Sequence, residues 1–140
     1  MRVPIFLRDV RPRKGNFARI KKKIHKNWPG AEPILLSHAG TLLSNCLGYQ
    51  SYHQLIRSSS DCPTAVTPKL EDLWRHSLPI VVGWLKLDAP VSQEELDKIA
   101  LFIQAWPLTL LTAYRDDYDL ELFEALLAKV GTSWAKNNSV

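Results

Sequence analysis

The sequence predicts a mainly all-α fold: a compact bundle of six or seven short helices in a single domain of 140 residues, led by a short N-terminal strand or arm. Three observations predict it. Apolar residues recur at three- and four-residue steps in several separate stretches. Ser, Thr or Asp stands before most of those stretches, where helix starts favour them. Gly or Pro stands after them, where helices stop.

Residues 3–10 read as a short edge strand or an extended arm. From Asn16, the residues Phe17, Ile20, Ile24 and Trp28 share one helical face, and Pro29-Gly30 ends the pattern. Ser37 is the expected N-cap of a helix over 38–47, with Leu42, Leu43, Cys46 and Leu47 inward and Gly48 at its left-handed end. Ser51 then caps a short helix with Tyr52, Leu55 and Ile56. The polar run 58–63 is a loop and the expected boundary between a basic half, 1–60, and an acidic helical half, 64–134.

Thr67-Pro68 predicts a cap followed by proline at the first helical position, with Leu70, Leu73 and Trp74 on one face. Ser77-Leu78-Pro79 restarts a helix to 87 that buries Ile80, Val81, Trp84 and Leu85. The Ile-Val-Val run leaves a strand as the alternative. Ser92 and Glu95 match a capping box before Leu96, Ile99, Ala100 and Ile103, with Trp106-Pro107 as the stop. Residues 108–114 are apolar and fit helix or strand. Asp117 or Asp119 caps a last helix through Val130.

Charge is distributed very unevenly. Ten of the eighteen Lys and Arg residues lie in the first thirty positions against one acid, Asp9, giving that segment +9 and the remainder −5. Such asymmetry points to a polyanionic partner, nucleic acid first. The alternative is a solvated basic face that balances the acidic half. Each cation that neutralises a phosphate releases counterions, so binding would weaken steeply with salt. Arg11, Arg13 and Lys14 fall in a stretch expected to be a flexible arm able to follow a groove or backbone. Arg19, Lys21, Lys22, Lys23 and Lys26 would lie along phosphates on the first helix.

Other chemistries find little support. The sequence holds no Gly-rich phosphate loop, H-E-x-x-H or G-x-S-x-G. His25, His38, His53 and His76 have no ligand spacing among themselves or with Cys46 and Cys62, so neither cofactor nor metal is expected. His38 and His53 fit structural positions, and the five Trp residues fit packing anchors. The acids of 116–121 suit a helix N-terminus better than a calcium loop. No secretory signal and no membrane span is read, and the two cysteines suggest no disulfide, which predicts a soluble, cytoplasmic protein; the lack of a catalytic constellation predicts one without enzymatic activity.

Residues 36–56 also read as helix, glycine turn, helix. Ser44 and Gly48 supply the small residue and the turn that a DNA-reading helix-turn-helix needs, with a generic helical hairpin as the alternative. In the first reading Gln50, Ser51, His53, Gln54 and Arg57 face base edges, and Gln50, Gln54 and Arg57 are the candidate readers. The aliphatic residue expected inside the second helix falls on Gln54, with Leu55 one place late.

The series Leu36, Ser37, Ala39, Leu42, Leu43, Leu47, Gly48, Tyr49, Ser51, Tyr52, His53 and Leu55 resembles a helical motif of small bacterial proteins encoded on plasmids and integrated elements. A similar segment opens some glyoxalase-like proteins as a helical extension. The resemblance covers about twenty residues and implies a shared packing unit and a mobile-element setting. The expectation is a DNA-binding (before RNA-binding) regulator or accessory factor of such an element. Its acidic half is left for homodimerisation or a protein partner. The alternative is a protein-binding inhibitor, anti-defence or antitoxin-like, whose basic face covers the acidic surface of a nucleic-acid-processing complex.

Overall fold

A computed structural model describes residues 1–12, 14–63, 66–87 and 89–114. The described residues form a mainly helical bundle. Five α-helices run α1 Asn16–Lys26, α2 Leu36–Cys46, α3 Tyr52–Ser58, α4 Leu70–Leu85 and α5 Gln93–Gln104. Short 3₁₀ helices at Leu7–Val10 and Leu108–Leu110 flank them. Extended pairing among the described residues amounts to one parallel bridge, Phe6 with Ser60. α1 packs on α2, α2 on α4 and α4 on α5. One apolar cluster runs from Val3 to Tyr114 across the 58–63 loop.

The N-terminus is neither a sheet strand nor a free arm. Val3 and Ile5 are buried, the Val3 N–H donates to the Leu47 carbonyl at 2.9 Å, and the Tyr49 hydroxyl donates to the Val3 carbonyl at 2.7 Å. The Asp9 carboxylate then accepts from the Phe6 N–H at 3.1 Å while the Asp9 N–H donates to the Phe6 carbonyl at 2.9 Å. That reciprocal pair closes a 3₁₀ turn over Leu7–Val10, where a strand or an extended arm was expected.

α1 follows its periodicity, with Phe17, Ile20 and Ile24 buried and Trp28 half-buried beyond its end. α2 starts at Leu36 with Leu35 in the N-cap position and no side-chain cap, so Ser37 is not the cap. The His25 ring Nδ1 bonds the Ile34 carbonyl at 2.8 Å and fixes the preceding segment. Gly48 has φ +97°, and a Cβ there would collide with the backbone of Met1 and Arg2. The turn thus needs glycine for both conformation and space. Ser51 caps α3 by accepting from the Gln54 N–H at 3.0 Å.

α4 begins two residues after Pro68, with Lys69 in the N-cap position, and continues unbroken through Pro79. The strand alternative fails on burial. Leu73, Ser77 and Val81 are buried at four-residue steps, whereas Ile80 and Val82 stay half-exposed. Proline removes one ladder hydrogen bond, but Pro79 and Arg75, whose carbonyl loses its donor, both lie on the exposed side of the helix, where water is at hand. In α5 the Ser92 hydroxyl accepts from the Glu95 N–H at 3.2 Å, and Ile99 and Ile103 are buried, as the spacing predicts. The last expected helix, the acidic run 116–121 and Trp134 lie outside the described residues.

Candidate nucleic-acid interface

The eleven residues of α1 make three turns, so a residue's position sets its surroundings. With Phe17, Ile20 and Ile24 inward, the basic residues divide between two flanks. Lys21 leans towards α2 and α3. Its stem covers Gly40, where a Cβ would meet Lys21 Cδ at 3.0 Å, and its ammonium lies 6.0 Å from the centre of the Tyr52 ring. Arg19, Lys22, Lys23 and Lys26 occupy positions i, i+3, i+4 and i+7 and form one stripe. Together with Pro107 and Leu110 they line an open groove of about 480 Å³. From Arg19 to Lys26 the helix rises about 10 Å.

This stripe is electrostatically uncompensated by the described residues. Their ion pairs, Arg75 with Asp72 at 4.0 Å and Lys98 with Glu94 at 3.7 Å, lie within α4 and α5. Arg19–Lys22, Arg19–Lys23, Lys22–Lys26 and Lys23–Lys26 are like-charge neighbours, each unfavourable by about 0.2–0.5 kcal/mol on a helix surface. The negative C-terminal end of the helix offsets part of this for Lys23 and Lys26.

Asp9 does not screen these cations at the surface. It is fully buried, and besides Phe6 it accepts from the Thr112 N–H at 3.0 Å and the Thr112 hydroxyl at 2.8 Å. The carboxylate therefore ties the segment before α1 to the chain just after the 3₁₀ helix Leu108–Leu110, which carries one wall of the groove. Sequence reasoning missed Asp9, Pro107, Leu110 and Thr112 as parts of this site. The 103-residue separation of Asp9 and Thr112 left no local signal.

The segment expected to be a flexible arm contains an ordered turn. The Lys14 N–H donates to the Pro12 carbonyl and the Gly15 N–H to the Arg11 carbonyl, both at 2.8 Å. Gly15 is buried so tightly that a Cβ would lie 2.6 Å from the Arg11 and Asp9 carbonyl oxygens. The Arg11 and Lys14 side chains are exposed, and Arg13 lies outside the described residues. Arg11 borders a separate cleft of about 310 Å³ with Arg8, Phe6, Leu7 and Asp61. Arg2 is engaged elsewhere, with its guanidinium 4.7 Å from the centre of the Tyr49 ring.

The candidate base readers do not line the groove. The Gln54 side-chain oxygen accepts from the Gln50 N–H at 2.6 Å, and the Ser51 hydroxyl is used by the Gln54 N–H. Tyr52 packs on Phe17 with ring centres 5.1 Å apart, and Leu55 is buried. His53 and Arg57 are exposed, as is Gln50. The hairpin is tight: buried Ser44 donates its hydroxyl to the Gly40 carbonyl at 2.8 Å, and its carbonyl accepts from the Tyr49 N–H at 3.0 Å.

The other polar residues hold structural positions. His38 lies against Trp84 with ring centres 5.7 Å apart. Burial pushes the Cys46 thiol up to about 12, against a smaller opposing effect of the Ser77 hydrogen bond, so it carries no thiolate at neutral pH. Among the described residues Cys46 and Cys62 are unbridged, and no three His, Cys, Asp or Glu side chains gather into a metal site. No helix among these residues is long and apolar enough to cross a membrane. No protein-family model matches the chain, and neither a curated protein nor a solved structure does.

Proposed function

We propose that the protein is a non-enzymatic nucleic-acid-binding protein that lays the α1 stripe along phosphates. One observation carries the reading: Arg19, Lys22, Lys23 and Lys26 line one groove with no ion-pair partner among the described residues. Like charges held side by side oppose folding, and an oligophosphate would relieve them. Arg11 and Lys14, exposed on the turn leading into α1, add to the positive charge of this end of the chain. The helical motif at 36–55 supports a place among regulators or accessory factors of bacterial mobile elements, with duplex DNA as the first target to try.

The test is fluorescence anisotropy with the full chain and a labelled DNA duplex of about 20 base pairs. Four neutralised phosphates give a slope of log affinity against log salt of about −3.6. Charge reversal at Lys22 and Lys23 should abolish binding. Absence of binding at low salt, or binding indifferent to salt, overturns the reading.

The second reading, occlusion of an acidic protein surface, draws on the apolar wall formed by Pro107 and Leu110. It predicts no association with the duplex and a stable complex with a protein partner.

A further inference from the structure

We infer that this groove grips the sugar–phosphate backbone of a strand and does not read its bases, an inference that rests on the nucleic-acid reading above. Three features of the lining carry it. First, the polar side chains among the described lining residues are donors alone: three ammonium groups and one guanidinium, beside two apolar side chains. Adenine is read by the paired donor and acceptor of Asn or Gln, and cytosine by a carboxylate; neither kind of group is present among the described lining residues. Second, no aromatic ring is among those described residues, so they offer a splayed base nothing to stack on. Third, the apolar wall of Pro107 and Leu110 faces the cationic stripe, a combination suited to sugar carbons on one side and phosphate oxygens on the other. Among the described lining residues, Arg19 is the one side chain with the fork that pairs with guanine. It shares the stripe with three lysines, which act on phosphate as point charges.

α3 does not supply the missing readout. A recognition helix contacts bases with its N-terminal residues. Here Gln54 holds the Gln50 N–H and Ser51 holds the Gln54 N–H, and the exposed Gln50 and His53 side chains do not line the groove. Tyr52, between them, is packed on Phe17.

The experiment is a binding selection on the full chain with a DNA duplex pool of about 20 base pairs whose centre is randomised. The unselected pool is measured first, at low salt. After several rounds, the selected pool should bind within about threefold of the unselected one, because a single base contact already discriminates by more than that. Replacing Arg19, Lys22, Lys23 and Lys26 by Gln should weaken both pools alike, with thermal melting used to show that the variant folds. A selected pool that is tighter by more than about threefold overturns the inference and leaves the backbone reading standing. Failure of the unselected pool to bind at low salt overturns both.

Discussion

α1 and α3 are both short, polar on their outer sides and joined through the same ring contact, Phe17 on Tyr52, yet they offer a ligand very different things. α1 exposes four cations that have no partner among the described residues. α3 spans only seven residues, and its first polar groups are used in its own cap. The residue types alone made α3 the better reader, since Gln and Arg suit base edges. Residue type leaves out the bonds already made: a donor or acceptor satisfied within the fold, as in Gln54 and Ser51, must break that bond before it can serve a ligand. Lysine ammonium groups over open solvent have no such bond to break.

The strongest way to disturb both helices at once is Phe17→Ala. Phe17 is fully buried and links the two, so its loss should lower unfolding free energy by about 3–5 kcal/mol. A urea titration reads this as a fall in the midpoint with an unchanged slope. A loss below about 1 kcal/mol would mean that α3 is not held by α1, and the comparison would lose its physical basis.

Next in size is Asp9→Ala. It strands two backbone N–H groups and the Thr112 hydroxyl, and should destabilise the protein by about 2–4 kcal/mol. It sharpens the comparison because Asp9 acts on the wall of the groove and leaves its charges in place. The folded fraction should bind a DNA duplex more weakly, while the slope of log affinity against log salt stays as in the native protein. A changed slope would show that Asp9 sets the charge of the site.

The contrast between these two residues shows what could be read in advance. Phe17, Ile20 and Ile24 announce a helix and its buried face through their spacing alone, and Gly48, Ser51 and Ser92 mark a turn and two caps. Each of those signals is local. Asp9 stood as the lone acid in a basic segment, and its true partner, Thr112, lies at the far end of the described chain. The basic stripe was legible as residues, but its division from Lys21 depended on Gly40 and Tyr52, and its groove depended on Pro107 and Leu110. Pro79 misled for a related reason. Proline reads as a helix break until burial of Leu73, Ser77 and Val81 is known to hold the helix on both sides.

A smaller effect of opposite sign separates function from folding on α1 itself. Lys22→Gln with Lys26→Gln removes three of the four like-charge neighbour pairs on the stripe. If they do nothing for the fold, stability should rise, by up to about 1 kcal/mol at low salt. The rise should shrink as salt increases. Over the same series, affinity for a duplex should fall and its salt slope should drop by about 2. A loss of stability would show that the stripe is a structural surface, with its cations held for the helix terminus.

The smallest effect is the most informative about α3. Gln54→Ala removes the bond to the Gln50 N–H, which is exposed and can turn to water, so the expected loss of stability is below about 0.5 kcal/mol. If α3 reads bases through Gln54, the same change should reduce discrimination between DNA sequences by about 1–3 kcal/mol. The cap geometry predicts instead that affinity and sequence ranking stay where they were, because the carboxamide oxygen already faces its own backbone. Anisotropy titrations of native and Gln54→Ala protein on two unrelated duplexes decide the matter. Equal ratios keep the reader role out of α3. A collapsed ratio would mean that the helix gives up its own cap on binding, and α3 would join α1 at the interface.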